Sequence, residues 1–480
     1  MINNKKLILF ILYNEFAFKI NCFLFLYLFT ITTLETIIFL IYDYIQYSPI
    51  SKTIERITIN KTTLKIALIS DLQLSPISIN DYRYKIFTQN FKQTLKVLKK
   101  EKVDSIIIAG DIVDGDIILN YLLYNRILNS IYPKEKPLMN LIMGNHEFYG
   151  VSKPNKLHQR TFEFFTKQKP FMHKVINGFH FIFWSSENGS LEMNESNINM
   201  KDWVEEQINI SLKENSTKPI FIITHMGPIF TAYGTNVYKQ GNYIMKQLFN
   251  KYQNIISISG HSHASLMDET SFYQGEFTAI QTQSISYIDL DYGYYNGRIP
   301  KDENDDELIS MKNPMGIIME INDEKILFKR IFFRSGEYYN KYWIYEFPAF
   351  KVNFKYNYLD MKNKYKKPYW LNNTVINVKY DVVKNKVFSK IYFKQAYHEL
   401  YVHSYLVIYR LLDIDLYRHF FYYSDFFKMR NEWSEIITLK VPERLKSGLY
   451  NISIIAIDSY DNESKALSGC VEIKNEIEGN

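Results

Sequence analysis

Only two cysteines, Cys22 and Cys470, occur in the 480 residues. Their scarcity excludes a disulfide framework and a CxxC zinc site. It fits a reducing compartment, and equally an exported protein that never used disulfides. No Gly-x4-Gly-Lys-Ser/Thr run occurs, so nucleotide-driven work is not indicated. The net charge of +6 is spread along the chain, too diffuse to argue for a nucleic-acid partner. What remains is ample apolar content for a core and a length that suggests about two or three domains.

The one long apolar run lies at 22–42, CFLFLYLFTITTLETIIFLIY, with a single charge at Glu35. Its length suits a membrane-spanning helix. Its Leu, Ile and Phe residues, at about −0.3 to −0.6 kcal/mol each, outweigh the roughly 3 kcal/mol of a central carboxylate. A cleaved signal peptide needs small residues at its cleavage site, and Ala17 is the only alanine in this region. The run therefore reads as an uncleaved anchor after a tail at 1–21, followed by a connector at 43–62. Lys5, Lys6 and Lys19 before it nearly balance Lys52, Arg56 and Lys61 after it, so the positive-inside count decides little. The expectation is a single-pass membrane protein with the bulk of the chain, from residue 63 on, outside.

From residue 63 the chain alternates apolar runs with helical patterns. Five runs stop abruptly at polar residues able to hold metal. They are IALISDLQ (Asp71, Gln73), IIIAGDIVDGD (Asp111, Asp114), LIMGNHE (Asn145, His146), IFIITHMG (His225) and IISISGHSH (His261, His263). Short apolar runs ending at turn residues read as buried parallel strands, and α/β folds bind ligands just past the carboxyl ends of such strands. Phe87, Phe91, Leu95 and Leu98 share one face of a predicted helix between the first two runs. Gly316–Ile321 and Ile326–Phe333 read as a closing hairpin.

Taken singly, each cluster has an ordinary explanation. Asp71 after a strand is a common turn former, and a lone His225 is more often a core histidine. Two imidazoles two residues apart, His261 and His263, rarely serve packing. Five such ends in one chain point instead to carboxylate, amide and imidazole ligands converging on one or two divalent metals.

These stretches resemble the calcineurin-like metallophosphoesterase family, whose signature is D-x-H, G-D-x-x-D, G-N-H-E/D, a lone His after a strand, and G-H-x-H. The resemblance covers roughly 63–345. It implies a four-layer α/β-β/α sandwich and a dinuclear centre of two divalent metal ions, Mn, Fe or Zn. It implies that Asp111 bridges the metals, that Asp71 and His263 complete one site, and that Asn145, His225 and His261 complete the other. His146 would sit over the phosphoryl group, oriented by Asp114. The chemistry would be hydrolysis of a P–O ester by metal-bound hydroxide, since two cations neutralise phosphoryl oxygens and acidify a shared water. One position departs: Gln73 stands where the family has histidine. Its amide oxygen could ligate metal directly, it could hold a metal-bound water, or the site could be weak.

A linker at 346–370 is expected to lead to an all-β module at 371–480. Short runs at Thr374–Tyr380, Val387–Phe393, Tyr401–Tyr409 and Ile436–Val441 precede an alternating strand at Gly448–Asp458. This order is similar to an immunoglobulin or fibronectin-type sandwich. His398, His403 and His419 are scattered and form no catalytic set. The chain thus reads as a membrane-tethered phosphoesterase acting on a phosphoester. Membrane lipid would contact the anchor, and a protein or envelope partner is conceivable at the C-terminal module. The alternative is a catalytically weak or inactive phosphoesterase-fold protein that works as a binding module.

Overall fold

The computed structural model describes residues 47–76, 82–190, 200–236, 241–290, 311, 313–348, 354–383, 386–412 and 416–475. The expected span at 22–42 lies outside them, as do residues 291–310. Among the described residues no helix is long and apolar enough to cross a membrane.

Residues 50–346 build two facing sheets. In one, six strands run in the order Glu337–Glu346, Lys325–Phe332, Met315–Ile321, Leu64–Ile69, Ser105–Ile108, Leu138–Leu141. The last three are mutually parallel, and the first three form antiparallel neighbours. The second sheet has seven strands, with Phe179–Trp184, Ile220–Thr224, Ile255–Ser259 and Thr278–Gln281 parallel at its centre. The antiparallel hairpin Met315–Phe332 agrees with the one expected from sequence, shifted by one residue.

Why the central strands read as unbroken apolar runs is visible in their two faces. Leu64, Ile66 and Leu68 face the other sheet together with Phe181, Phe221 and Ile256. Their neighbours Ala67 and Ile69 face outward onto Phe91, Leu95 and Leu98 of the helix Tyr82–Glu101 and onto Tyr121 and Tyr124 of the helix Ile118–Ile131. On the far side Ile182, Ile220 and Ile222 pack on Val204 and Ile208 of the helix Lys201–Glu214 and on Leu248 of the helix Tyr243–Phe249. Side chains alternate across a strand, so a strand buried on both faces has no polar register. The result is helix, sheet, sheet, helix. The helix face Phe87, Phe91, Leu95, Leu98 is buried as its spacing predicts.

Arg330 crosses this core. Its guanidinium is fully buried between the rings of Tyr339 and Trp343, at 4.3 and 4.1 Å. It donates to the Leu266 carbonyl at 3.1 Å and to Glu269 at 3.0 Å, tying down the segment that follows His263. Arg330→Met should cost about 3–5 kcal/mol by leaving Glu269 as an uncompensated buried charge. The urea midpoint checks this, and an unchanged midpoint would refute it.

C-terminal to these sheets lie two more, all antiparallel. One has three strands (Asn377–Val383, Lys386–Lys394, Ile436–Lys440) and the other four (Leu416–Tyr423, Ser404–Leu411, Gly448–Ile457, Leu467–Ile473). Ile391, Phe393 and Leu439 of the first share a core with Tyr405, Val407, Ile452 and Ile454 of the second. The expected strand at Tyr401–Tyr409 begins only at Ser404, because residues 401–403 are engaged elsewhere. Tyr401 donates to the Met267 carbonyl at 2.6 Å and accepts from the Glu269 backbone at 3.0 Å. His403 meets the Tyr233 hydroxyl at 3.2 Å, and burial pushes its pKa down to about 4. His398 is buried beside Asp458 at 3.2 Å, while His419 is exposed.

Candidate metal centre

All five strand ends open on one edge of the paired sheets. Backbone bonds lace the loops together beyond the strands. Asp71 and Gln73 donate to the carbonyls of Gly110 and Asp111 at 3.0 and 2.9 Å, Gly260 donates to that of His225 at 2.9 Å, and Ser286 to that of Asp71 at 3.1 Å. The turns are tight. Asp71, Gln73, Asp111, His261 and His263 all hold left-handed backbone, with φ of 54°, 45°, 52°, 73° and 53°. Each such residue costs about 1–2 kcal/mol, and strain of this kind gathers at functional sites. Two glycines are required by close approach. A Cβ at Gly110 would lie 2.5 Å from His225 Nδ1, and one at Gly144 would collide with the Asp111 carboxylate.

Two groups of ligand atoms result: Asp111, His225 and His261, and Asp71, Asp111 and His263, each within 4.8 Å and all buried. Asp111 belongs to both. Asn145 joins the first group, its Oδ1 3.0 Å from His225 Nε2. The tautomers suit metal. His225 Nδ1 donates to the Ala109 carbonyl at 2.8 Å and His263 Nδ1 to that of Tyr287 at 3.2 Å, which turns each Nε2 inward. There His225 Nε2 lies 3.2 Å from Asp111 Oδ2, and His263 Nε2 lies 3.2 Å from Asp71 Oδ1. Asp71 Oδ1 is buried and accepts no hydrogen bond. Ring nitrogens and carboxylate oxygens gathered within 4.8 Å of one another, with a buried carboxylate oxygen among them, fit a divalent cation in each group.

The electrostatics say the same. Burial works against charge on Asp111, yet His225 and His146 hold its carboxyl well below the usual range. Burial likewise opposes a proton on His225, but Asp111 and Asp71 raise its pKa to about 10. The cluster draws positive charge.

His146 stands apart from the ligand groups. Its Nε2 is 3.7 Å from Asp111 Oδ2, and its Nδ1 donates to Asp114 Oδ1 at 2.7 Å. Tyr84 donates to the other oxygen of Asp114. Despite burial, the neighbouring Asp111 and Asp114 raise the His146 pKa to about 9. Gln73 reaches the same place. Its Nε2 is 3.3 Å from His146 Nε2 and 3.5 Å from His263 Nε2, while its Oε1 accepts from Ser286 at 3.2 Å.

Three further residues shape the site without any mark in the spacing of its ligands. Glu147 is fully buried and accepts from the backbone N–H groups of Asp111, Ile112, Val113 and Gly144, at 3.1, 2.6, 3.1 and 2.5 Å. Burial and Asp111 push its pKa up to about 7 against the pull of those donors. Four N–H groups aimed at two oxygens are a cradle for the ionised form. Tyr149 accepts from Asn145 Nδ2 at 3.0 Å, which leaves Asn145 Oδ1 facing His225. Ser286 holds the Gln73 amide. A buried acid in Gly144-Asn145-His146-Glu147 was the one available clue to the first.

A model of the calcineurin-like phosphoesterase family matches residues 64–265, the stretch that carries every ligand described above. Residues 64–265 are a calcineurin-like phosphoesterase domain. Solved structures similar to the chain include a purple acid phosphatase from yellow lupin (Lupinus luteus) seeds, at 11% identity, covering 63% of this chain and 55% of that one, with a TM-score of 0.38. Another is Vacuolar Protein Sorting 29 from Cryptosporidium parvum, at 12% identity, covering 60% of this chain and 100% of that one, with a TM-score of 0.30. A third is an uncharacterised Streptococcus pneumoniae TIGR4 protein described as a predicted phosphoesterase, at 11% identity, covering 60% of this chain and 99% of that one, with a TM-score of 0.26. No curated protein matches the chain. The calcineurin-like phosphoesterase domain thus contains the candidate metal groups, and the two C-terminal sheets lie beyond it.

Proposed function

We propose that the protein is a metal-dependent phosphoesterase hydrolysing a phosphate mono- or diester at a dinuclear centre. The observation that carries this reading is the Asp111 carboxylate, shared by two buried groups of ligand atoms. Asp71, Asp111 and His263 would hold one cation, and Asp111, Asn145, His225 and His261 the other, each Mn, Fe or Zn. Such a pair supplies neutralisation of phosphoryl oxygens and an acidified water.

The chain's own residues then divide the remaining work. Asp114 orients His146 through Nδ1, and Tyr84 fixes Asp114. His146 Nε2 is thereby presented to the leaving oxygen, whose departure as an alkoxide needs a proton. Glu147 locks the Asp111 and Gly144 loops to each other. Tethering by the run at 22–42, an extracytoplasmic catalytic domain and partner binding by an immunoglobulin-like C-terminal module belong to the same proposal and rest on sequence.

The test is turnover of p-nitrophenyl phosphate and bis-p-nitrophenyl phosphate by the full chain loaded with Mn²⁺. Activity lost in EDTA and restored by metal is expected. A protein that binds two cations and cleaves neither ester would overturn the reading and leave the binding-module alternative, which Gln73 favours.

A further inference from the structure

The amide of Gln73 replaces an imidazole, and its surroundings decide which end of it faces the site. The side chain is buried, and its backbone is held at a φ of 45°. On the outer side Ser286 donates to Oε1 at 3.2 Å. Ser286 lies 2.8 Å from the Ser284 hydroxyl, and Ser284 donates to the Asp71 carbonyl at 3.1 Å. A run of hydroxyls therefore backs the amide oxygen. On the inner side Nε2 lies 3.5 Å from His263 Nε2. His146 Nε2 is 3.3 Å away. Ser284 Oγ already accepts from the backbone N–H groups of Ser286 and Tyr287, at 3.0 and 3.3 Å, and gives its own proton to the Asp71 carbonyl. The Ser286 hydroxyl proton is therefore left for Oε1, and the N–H groups of the amide face inward.

We propose that Gln73 is a hydrogen-bond donor at the edge of the metal centre and not a metal ligand. This rests on the dinuclear reading above. The group Asp71, Asp111 and His263 then offers three protein ligands, against four for Asp111, Asn145, His225 and His261. The two cations bind unequally and in sequence, the four-ligand site first. The inward N–H groups of Gln73 are left to contact a phosphoryl oxygen.

Metal titration tests this without reference to activity. The metal-stripped full chain is titrated with Mn²⁺ by calorimetry, with bound metal counted by elemental analysis and folding checked by circular dichroism. Two steps separated by at least about tenfold in Kd are expected. Gln73→Ala should leave the weaker step within about threefold, because it removes no ligand. Gln73→His should tighten that step by tenfold or more and close the gap, because it adds an imidazole. A weaker step that loosens tenfold or more in Gln73→Ala would show the amide ligating metal and overturn the proposal. So would two equal steps in the unmodified protein. Fewer than two Mn²⁺ per chain in both the unmodified protein and Gln73→His would sink the dinuclear reading itself, a result separate from failure of the Gln73 assignment.

Discussion

Asp111→Asn should leave a folded protein that no longer pairs two cations and whose turnover is lost. The substitution is nearly isosteric, and Asn keeps the Oδ1 acceptor that receives the His146 backbone N–H at 2.9 Å. The loop around Gly144, which approaches this side chain without room for a Cβ, therefore has no steric reason to move. What disappears is the charge. Two cations a few ångströms apart repel each other, and the shared carboxylate is the group that offsets this repulsion. Charge stabilisation by bound metal is worth several kcal/mol in the transition state, and a loss of ~4 kcal/mol is roughly a thousandfold in rate. Bound metal should fall to one ion per chain or fewer, with phosphatase activity at background. A second consequence separates charge from structure. Asp111 is the largest influence raising the His225 pKa and is among those raising that of Glu147, so both should titrate lower in the metal-free variant. Two metals and full turnover in Asp111→Asn would contradict the bridging role.

How much of this was legible beforehand follows from burial. Strands such as Ile220–Thr224 and Ile255–Ser259 are buried on both faces, so they appear as unbroken apolar runs, and the polar residue ending each run marks the site edge. Strands with one wet face were harder to see. Leu416–Tyr423 mixes exposed Tyr417, His419 and Phe421 with buried Phe420 and Tyr422, and Leu467–Ile473 is an edge strand with polar residues on its outer side. Neither stood out in the sequence. Supporting residues were hidden for another reason. Glu147 acts on four backbone N–H groups, two of them belonging to the apolar residues Ile112 and Val113, and backbone partners leave no residue-type signature. Ser286 lies 213 positions from Gln73, a pairing that only the fold reveals. The chemistry-bearing side chains were readable because metal ligation restricts residue type. The residues that aim them were not, because hydrogen bonding to backbone or amide accepts many types.

His146→Ala should spare metal binding and lower kcat by about a hundredfold or more, the usual scale of a lost general acid. His146 is in neither group of ligand atoms, so bound metal should stay at the unmodified level. Its ring is instead held by Asp114 through Nδ1, and in the metal-free protein Asp111 and Asp114 raise its pKa to about 9 against the cost of burial. A group that works in its protonated form is lost as pH rises through its pKa, so the alkaline limb of the kcat profile is the one His146 sets. Asp114→Asn removes one of the three carboxylates that raise this pKa, and should shift that limb to lower pH while leaving metal content unchanged. The leaving group gives the decisive comparison. Nitrophenolate departs with little need of a proton, whereas an alkyl alkoxide needs one. His146→Ala should therefore harm alkyl phosphate esters at least tenfold more than nitrophenyl esters. Equal losses on both would assign His146 to binding the phosphoryl group and deny it the proton transfer.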